Sequence, residues 1–232
     1  MAEGAAPVCI CVLFYGAEDQ HFQLAQRVLN EPMRELAKQN VEFRFGCNAV
    51  GPDTTRFLLQ QIADHFRKAT VFHSAENLMK YPMMRRMFYE PAIQSPITMW
   101  FDHDSYLEPT DNVHSWFDRV VNHVNGCNLV GSVERAKLPD EQLAWLTRQP
   151  WFNPAYEKTY LPYVIGGWWA IKTELLRRFD FPPPDFKQKN GDRVLGAAFK
   201  HQAIQFCHFR EGVKINVNSA GVEAAEPRTM TA

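Results

Sequence analysis

The sequence predicts an α/β protein with a doubly wound, mostly parallel central sheet and helices on both of its faces. Residues 8–15 and 97–101 are nearly unbroken apolar runs. Such runs are typical of short strands that are buried on both sides in a parallel sheet. Through residue 133, strand-like and helical segments alternate. Because parallel strands need crossover connections, this alternation favours the same fold class.

The first half of the chain contains five predicted strands with helical segments between them. The strands lie at 8–15, 41–45, 69–72, 97–101 and 128–133. The helices lie at about 18–39, from 51–53 onward, at 83–89 and at 113–124. Pro32 should divide the first helix, because proline lacks a backbone donor and clashes with the preceding turn. Thr110 or Asp111 is the predicted cap of the last helix.

The second half of the chain has a less regular pattern. Residues 138–162 are rich in Pro, Trp and Tyr and contain one predicted helix, at 140–147. Further helices are predicted at 173–179 and 190–200, and strands at 203–209 and 213–217. The last residues, 219–232, are small and polar, which predicts a loose tail. Since we find no repeat and no linker, we predict one domain with two functional halves, 1–133 and 134–218.

The composition is ordinary for a globular protein, with 46% hydrophobic and 22% charged residues among 232. The formal net charge of −1 provides no electrostatic argument for binding nucleic acid or an anionic membrane. No apolar run approaches the roughly 20 residues of a membrane span. Residues 1–7 lack the basic start of a signal peptide. We therefore expect a soluble, cytoplasmic protein.

The cysteines are odd in number, widely spread and without a CxxC pair. They are Cys9, Cys11, Cys47, Cys127 and Cys207. This distribution is typical of buried free thiols in a reducing compartment. We therefore expect no disulfide.

Two carboxylates one residue apart follow the apolar run at 97–101. These are Asp102 and Asp104, in the segment Asp102-His103-Asp104. In extended chain, residues i and i+2 point the same way, so both carboxylates can converge on one cation. Their place just past a strand's carboxyl end is where open α/β sheets bind ligands, and hard oxygen ligands favour Mg²⁺ or Mn²⁺. The alternative is that both aspartates only close the strand, as Asp often does in turns.

Four segments of the chain together resemble a GT-A glycosyltransferase, most closely one of the family 2 type. They occur in the family's order and span nearly the whole chain. They are Phe14-Tyr15-Gly16, Asp102-His103-Asp104, Gly166-Gly167-Trp168-Trp169, and Asp192 at a predicted helix start. The resemblance implies a GT-A (Rossmann-like) sheet, a donor-binding half at 1–133 and a smaller acceptor-binding, catalytic half at 134–218.

The resemblance implies a nucleotide-sugar donor, with a UDP-sugar as the default and a hexose as the transferred group. Phe14, Tyr15 and Gly16 would flank the nucleoside. Asn48 follows the second strand, at a place where the family often has an Asp that contacts the base. The Asn is a departure from the family pattern, so the contact that would select the base stays open.

The donor's diphosphate would lie at Asp102 and Asp104, with Mn²⁺ or Mg²⁺ between them and the phosphates. A divalent ion there neutralises charge as the nucleotide leaves. Arg85, together with Lys80 and Arg86, would add positive charge nearby. A solvated helix face explains these three side chains equally well.

The same resemblance places the acceptor near Gly167, Trp168 and Trp169. Indole rings stack well on sugar or base faces. Side chains alternate along a strand, so at most one of the two tryptophans can face the acceptor. The other should pack in the core.

Asp192 matches the carboxylate that deprotonates the acceptor hydroxyl in inverting members of the family. The family usually has an acidic residue directly before this position, whereas Gly191 stands there in this chain. Asp192 is also a plausible helix cap. Asp185 is the second choice for the base, and without a carboxylate base a retaining mechanism comes back into consideration.

His208 follows the predicted catalytic helix, roughly where some GT-A enzymes supply a third metal ligand. His201 is a further candidate. A lone histidine is more often a structural or surface residue, and that alternative applies to both.

The acceptor stays open: it can be a glycan, a small molecule, a protein or a hydroxymethylated DNA base. A second enzyme class also uses Asp-x-Asp after a strand, the haloacid-dehalogenase-type phosphatases, in which Asp102 would be the nucleophile. Gly196 then stands where that family has a second downstream acid. A nucleotidyltransferase is disfavoured because residues 16–19 are acidic and poor in glycine. A catalytically silent nucleotide-sugar-binding module is the non-enzymatic alternative.

Overall fold

A seven-stranded sheet flanked by helices forms the centre of the computed structural model. The structure describes residues 6–110, 112–137, 140–156, 161–188 and 191–218. The predicted tail at 219–232 and the predicted cap Asp111 therefore lie outside the described residues.

The elements of the first half alternate between strands and helices, as predicted. They are β1 (Val8–Tyr15), α1 (Asp19–Val28), α2 (Glu31–Leu36), β2 (Val41–Asn48), α3 (Pro52–His65), β3 (Ala69–Ser74), α4 (Lys80–Tyr89) and β4 (Ile97–Asp102). Pro32 lies in the first turn of α2, where its missing N–H is not needed. The predicted division of the first helical stretch is confirmed.

The remaining elements are shorter, apart from one long helix and two long strands. They are β5 (Tyr106–Leu107), α5 (Val113–Cys127), β6 (Leu129–Ala136), α6 (Asp140–Leu146), a 3-10 turn (Pro154–Tyr156), β7 (Leu161–Lys172), α7 (Thr173–Arg178), α8 (Gly191–His201), β8 (Cys207–His208) and β9 (Val213–Lys214). None of the described helices combines the length and the apolar character that crossing a membrane requires.

The central sheet has the strand order β3-β2-β1-β4-β7-β6-β8. β1 is parallel to β2 and β4, β2 is parallel to β3, and β6 is parallel to β8. Only β7 runs the other way, antiparallel to both β4 and β6. β5 and β9 form a separate antiparallel pair. The predicted class, a mostly parallel sheet in an α/β fold, is confirmed.

Two cores cover the two faces of the sheet, and β1 contributes to both. Ile10 and Val12 pack with α1, α2, α3 and α5 on one face. Cys9 and Cys11 pack with α4, α7 and α8 on the other. Because successive side chains point to opposite faces, a strand covered on both sides must be apolar at every position. This explains the unbroken apolar run that begins the chain.

α4 begins at Lys80, three residues before the predicted start at 83. Pro82 fits this earlier start because it lies in the first turn, where a helix makes no hydrogen bond to a backbone N–H. The earlier start matters because it places Lys80 and Tyr81 at the amino end of the helix, next to the carboxyl end of the sheet.

The structure differs from the sequence predictions in three further details. The cap of α5 is Asn112 rather than Thr110, and its side chain accepts a hydrogen bond from Ser115 N at 2.9 Å. The strands predicted at 203–209 and 213–217 shrink to two residues each. β5 was not predicted, because it pairs with β9 more than 100 residues later and a partner so distant leaves no local signal.

Cys127 and Cys207 form a disulfide, contrary to the prediction of free thiols. Cys127 ends α5, and Cys207 begins β8 beside Val130 of β6. Their Cα atoms are 5.8 Å apart, across a sequence separation of 80 residues. That separation hides the pairing from sequence reasoning, since it depends on β8 docking against β6. Cys9, Cys11 and Cys47 are buried and free, as predicted.

Reduction of this disulfide should lower the thermal stability. A bridge across a loop of this length stabilises by up to about 4 kcal/mol in the chain-entropy model, which corresponds to roughly 10 °C for a chain of this size. We expect dithiothreitol to lower the melting temperature of the wild-type protein by several degrees. The Cys127→Ser variant should melt at the reduced value and ignore the reductant. A fully reduced wild-type protein with an unchanged melting temperature would contradict the assignment.

Candidate active site

Four elements converge at one place beyond the carboxyl end of β4. β4 ends at Asp102, α4 begins with Lys80, β7 passes with Gly166, and α8 begins with Gly191 and Asp192. The pairing of Phe101 with Trp168 sets this meeting, because it aligns the end of β4 with the middle of β7.

Asp102 is held from two sides. Its Oδ1 accepts a hydrogen bond from Trp100 Nε1 at 2.9 Å, and its Oδ2 accepts one from Lys80 Nζ at 2.5 Å. The side chains of Asp102 and Lys80 are 17% and 20% exposed, so this ion pair is largely screened from water. Charge-assisted hydrogen bonds in such surroundings are stronger than neutral ones. The carboxylate therefore has a defined orientation.

Lys80 makes a second contact on the opposite strand, donating to Gly166 O at 3.3 Å. Burial alone would lower the pKa of this lysine, but the attraction of Asp102, with a smaller contribution from Asp192, raises it above its usual value. Lys80 therefore stays positively charged across the physiological range. Its ammonium lies between the two carboxylates.

The surroundings of Asp104 disfavour its charged form. Burial, followed by repulsion from Asp102, raises the pKa of Asp104 to about 6, against an opposing attraction by Lys80. Ser105 Oγ lies 3.4 Å from its Oδ1, and Val217 N donates to its backbone oxygen at 2.7 Å. The attraction of Lys80 therefore offsets only part of the cost of placing a buried carboxylate beside Asp102.

Asp192 lies beside Gly166, in the neighbourhood of Lys80. A methyl group on Gly166 would come within 3.4 Å of Lys80 Nζ and 3.7 Å of Asp192 Oδ2. Burial raises the pKa of Asp192, while its hydrogen bond from Arg193 N and the charge of Lys80 act against the rise. A carboxylate with a raised pKa is a better proton acceptor than an exposed one.

Tyr81 explains why glycine precedes Asp192. Gly191 N donates to the Tyr81 hydroxyl at 2.7 Å, and this contact ties α8 to α4. A Cβ at position 191 would lie 2.6 Å from the tyrosine ring, so a side chain there would collide with it. The acidic residue that the family usually has at this place cannot be accommodated in this packing.

The segment after β1 presents rings at the same edge of the sheet. Tyr15 is 38% exposed, and its ring meets those of His21 and His103 edge-on at 5.3 and 5.4 Å. Gly16 has φ +90°, and a side chain there would collide with the His21 ring. Phe14, in contrast, is buried in the core and does not line this surface.

Two residues that were predicted to contact the nucleotide-sugar donor, Asn48 and Arg85, make contacts within the protein. Asn48 is buried, accepts from Leu78 N at 2.8 Å and donates to Asn77 Oδ1 at 3.0 Å. Its amide therefore fastens the loop before α4. Arg85 donates to the side chain of Asp180 at 2.9 Å and to Pro182 O at 2.6 Å. Its guanidinium thereby holds the loop after α7, contrary to the predicted contact with the diphosphate.

Neither tryptophan of β7 faces an acceptor surface. Trp168 and Trp169 are both buried, on opposite faces of the sheet. Trp169 stacks on Trp100 with ring centroids 6.1 Å apart. The sequence predicted that at most one of the two would face the acceptor, and in the structure both pack in the core because helices cover both faces of the sheet. Gly167 is also packed, since a Cβ there would lie 2.7 Å from Ser105 Oγ.

The remaining predicted residues lie apart from the aspartate pair. His208 is in β8, three strands from β4 and therefore about 14 Å away at the usual strand spacing. Its Nδ1 accepts from Val133 N. His201 Nδ1 accepts from Asn153 N at 2.7 Å. Asp185 is exposed in the turn after α7.

Sequence reasoning missed Tyr81, Ser105 and the ring pair His21 and His103, and it treated Lys80 only as nearby charge. The start of α4 at Lys80 is the signal that would have revealed Lys80 and Tyr81, since it turns both toward the carboxyl end of the sheet. Nothing in the local pattern indicates the others, which depend on contacts between distant segments.

The donor set fits a divalent ion in part. No group of three His, Cys, Asp or Glu side chains among the described residues forms a ready-made metal site. Mg²⁺ and ions like it are often held by only one or two carboxylates, with phosphates and water completing the shell. Asp102 and Asp104 supply that number. Burial and, after it, repulsion from Asp102 raise the pKa of Asp104, and a cation bound between the two carboxylates would oppose both effects.

Comparison with known proteins finds likeness in structure only. No protein-family model and no curated protein sequence matches the chain. TarS residues 1–349 from S. aureus matches at 12% identity and a TM-score of 0.53, covering 88% of this chain and 58% of that one. TarS was also solved in complex with UDP, with 13% identity to this chain.

Two further structures share the fold. The mannosyltransferase PcManGT from Pyrobaculum calidifontis, in complex with GDP-Man and Mn²⁺, matches at 16% identity and a TM-score of 0.54, covering 89% of this chain and 55% of that one. HddC from Yersinia pseudotuberculosis matches at 11% identity and 0.51, covering 90% and 93%. The chain spans a little over half of TarS 1–349 and of PcManGT. The fold of this protein is the GT-A-like fold of nucleotide-sugar glycosyltransferases.

Proposed function

We propose that this protein is a glycosyltransferase that moves a sugar from a nucleotide-sugar donor to a hydroxyl acceptor. The observation that carries the proposal is the meeting of Asp102, Lys80 and Asp192 around Gly166, at the carboxyl end of the sheet. The fold supports it, since ligands of open α/β sheets lie at this edge. Among proteins of similar fold, PcManGT holds GDP-Man with Mn²⁺ and TarS holds UDP.

The donor's diphosphate is proposed to lie over Asp102 and Asp104, with Mn²⁺ or Mg²⁺ bound between these carboxylates and the phosphates. A bound divalent ion would neutralise the charge that develops as the nucleotide departs. Trp100 and Ser105 would hold the two carboxylates in place, through the contacts that they make in the structure.

The nucleoside is proposed to lie beside Tyr15 and Gly16. Tyr15 presents an exposed ring, supported edge-on by His21 and His103. Burial lowers the pKa of His103 to about 4, so this ring stays neutral and can pack against an uncharged base. The default donor is a UDP-sugar.

Asp192 is proposed as the base. Its carboxylate would take the proton of the acceptor hydroxyl while the hydroxyl oxygen bonds to the anomeric carbon. The bond from that carbon to the phosphate oxygen breaks, and its electron pair leaves with the nucleotide diphosphate. Attack from the side opposite the leaving group inverts the anomeric configuration. The place of Asp192 beside Gly166, in the neighbourhood of Lys80, brings a carboxylate close to the proposed donor site.

The proteins of similar fold favour a transferase over the phosphatase alternative. PcManGT, which holds GDP-Man, is a mannosyltransferase, and TarS, which holds UDP, is not described as a phosphatase. The buried environment of Asp102 agrees with this preference. Both of its oxygens accept hydrogen bonds from Trp100 and Lys80, which suits a charged anchor better than an attacking nucleophile.

A panel of nucleotides tests the proposal first. UDP, GDP and their sugar conjugates, with and without Mn²⁺, should be compared by thermal shift. One nucleotide family should raise the melting temperature, and more so with Mn²⁺, since ligands that bind the native state stabilise it. A protein that no nucleotide stabilises, but that hydrolyses p-nitrophenyl phosphate, would support the phosphatase instead.

Asp102→Asn and Asp104→Asn should weaken the Mn²⁺-dependent binding of the nucleotide. Each change removes one anionic ligand while keeping the side chain's shape, so we expect at least about a tenfold loss of affinity, equal to about 1.4 kcal/mol. Isothermal titration measures it. The matched control is Asp118→Asn on the exposed face of α5, which should bind as wild type. Wild-type affinity in both site variants would refute the metal assignment.

Asp192→Asn should leave donor binding intact and slow transfer of the sugar to the acceptor, measured as release of the nucleotide, by about 100- to 10,000-fold, the usual range for loss of a general base. Only the deprotonated wild-type carboxylate is active, so the rate should rise with pH through the pKa of Asp192. Because that pKa is raised, the rise should lie above the usual carboxylate range, and the variant should lack it. A normal rate in the variant would assign the base elsewhere.

A further inference from the structure

We propose that Lys80 is an exchangeable counter-ion of the donor site. In the free protein its ammonium binds Asp102, and on donor binding it leaves this carboxylate and binds the diphosphate. The inference rests on the proposed function and extends it to a residue that competes with the metal for Asp102. Lys80 is therefore a positioning residue before binding and a ligand of the donor afterwards.

Lys80 is bonded to a carboxylate oxygen of Asp102 that is a candidate ligand for the metal ion. Lys80 Nζ lies 2.5 Å from Asp102 Oδ2, and the other oxygen, Oδ1, accepts from Trp100 Nε1 at 2.9 Å. Both oxygens thus already accept a hydrogen bond, and a cation that binds Asp102 through Oδ2 has to share that oxygen with Lys80 or displace it. Two cations at one carboxylate oxygen repel each other strongly where little water surrounds them. Binding of one cation at Asp102 therefore opposes binding of the other.

The contacts of Lys80 allow it to change partners, because they do not fix its ammonium in one geometry. Its ammonium has three donors, and Asp102 Oδ2 and Gly166 O accept from two of them, the second at a longer 3.3 Å. Ammonium is a compact charge on a flexible four-carbon stem, without the fixed fork geometry of a guanidinium. Lys80 is 20% exposed, so its head reaches the surface where a diphosphate would lie.

If Lys80 left Asp102 without a replacement, the negative charge of the neighbouring carboxylates would lose its compensation. The Lys80 ammonium bonds to Asp102 and attracts the nearby carboxylates of Asp104 and Asp192. When a divalent ion compensates Asp102 and Asp104, the lysine is no longer needed there, and a diphosphate adds new anionic oxygens beside it. Lys80 then gains more from the phosphates than from the carboxylate. Its second anchor, Gly166 O, keeps it in the site during the exchange.

If Lys80 exchanges between Asp102 and the diphosphate, its removal should change the affinities for Mn²⁺ and for UDP in opposite directions. Lys80→Gln frees Asp102, so Mn²⁺ without nucleotide should bind about 5- to 10-fold more tightly than to wild type. The same variant lacks the charge for the diphosphate, so UDP in saturating Mn²⁺ should bind at least about tenfold more weakly. A purely structural ion pair predicts a different result, because its loss would weaken both ligands together.

Both affinities are measurable without any turnover. Free Mn²⁺ is counted by electron paramagnetic resonance in a titration of the protein, and UDP binding is measured by calorimetry. Lys80→Arg retains the charge and should keep Mn²⁺ affinity near wild type. Lys68→Gln, an exposed lysine before β3, is the surface control. Should Lys80→Gln fail to fold, Lys80→Met gives the same comparison with an apolar chain of similar length.

Mn²⁺ affinity that is unchanged or weaker in the neutral variants overturns the inference, and so does UDP affinity equal to wild type. A wild-type protein that binds none of the nucleotides overturns the proposed function instead. The Mn²⁺ titration does not involve nucleotide, so it still decides whether Lys80 competes for Asp102. The two failures are therefore distinguishable.

Discussion

The pairing of β4 with β7 is the constraint on which the rest of the structure depends. β7 is the one strand of the sheet that runs against its neighbours, and it joins the parallel first half to β6 and β8. The stacked rings of Trp100 and Trp169 hold the register. That register brings Gly166 beside the end of β4. Without it, Asp102 and Asp192 would belong to unrelated parts of the molecule.

The fold class was predictable because the first half obeys local rules. β1 is apolar at every position since helices cover both of its faces, and α3 shows a plain helical period that any tertiary arrangement would use. Features formed by distant partners gave no such signal. The bridge between Cys127 and Cys207 and the short pair of β5 and β9 exist only once the chain has folded.

The candidate site divides in the same way. Asp102 and Asp104 were predictable because a strand end and an alternating chain already orient them, and Asp192 because a helix start does. The roles inferred for Asn48, Arg85 and His208 depended on their places in the chain, but other contacts hold these side chains. The first two fasten loops, and His208 accepts a hydrogen bond from β6. Trp168 and Trp169 show the same limit: their chemistry suits sugar binding, but burial removes it from reach.

The contact between Tyr81 and Gly191 has a consequence for how this chain can diverge. The ring fills the volume that a side chain at 191 would need, and its hydroxyl accepts from the backbone there. The residue at either position therefore limits which residue fits at the other. An acidic side chain directly before Asp192 would require loss of the aromatic ring at position 81, and with it the tether between two helices.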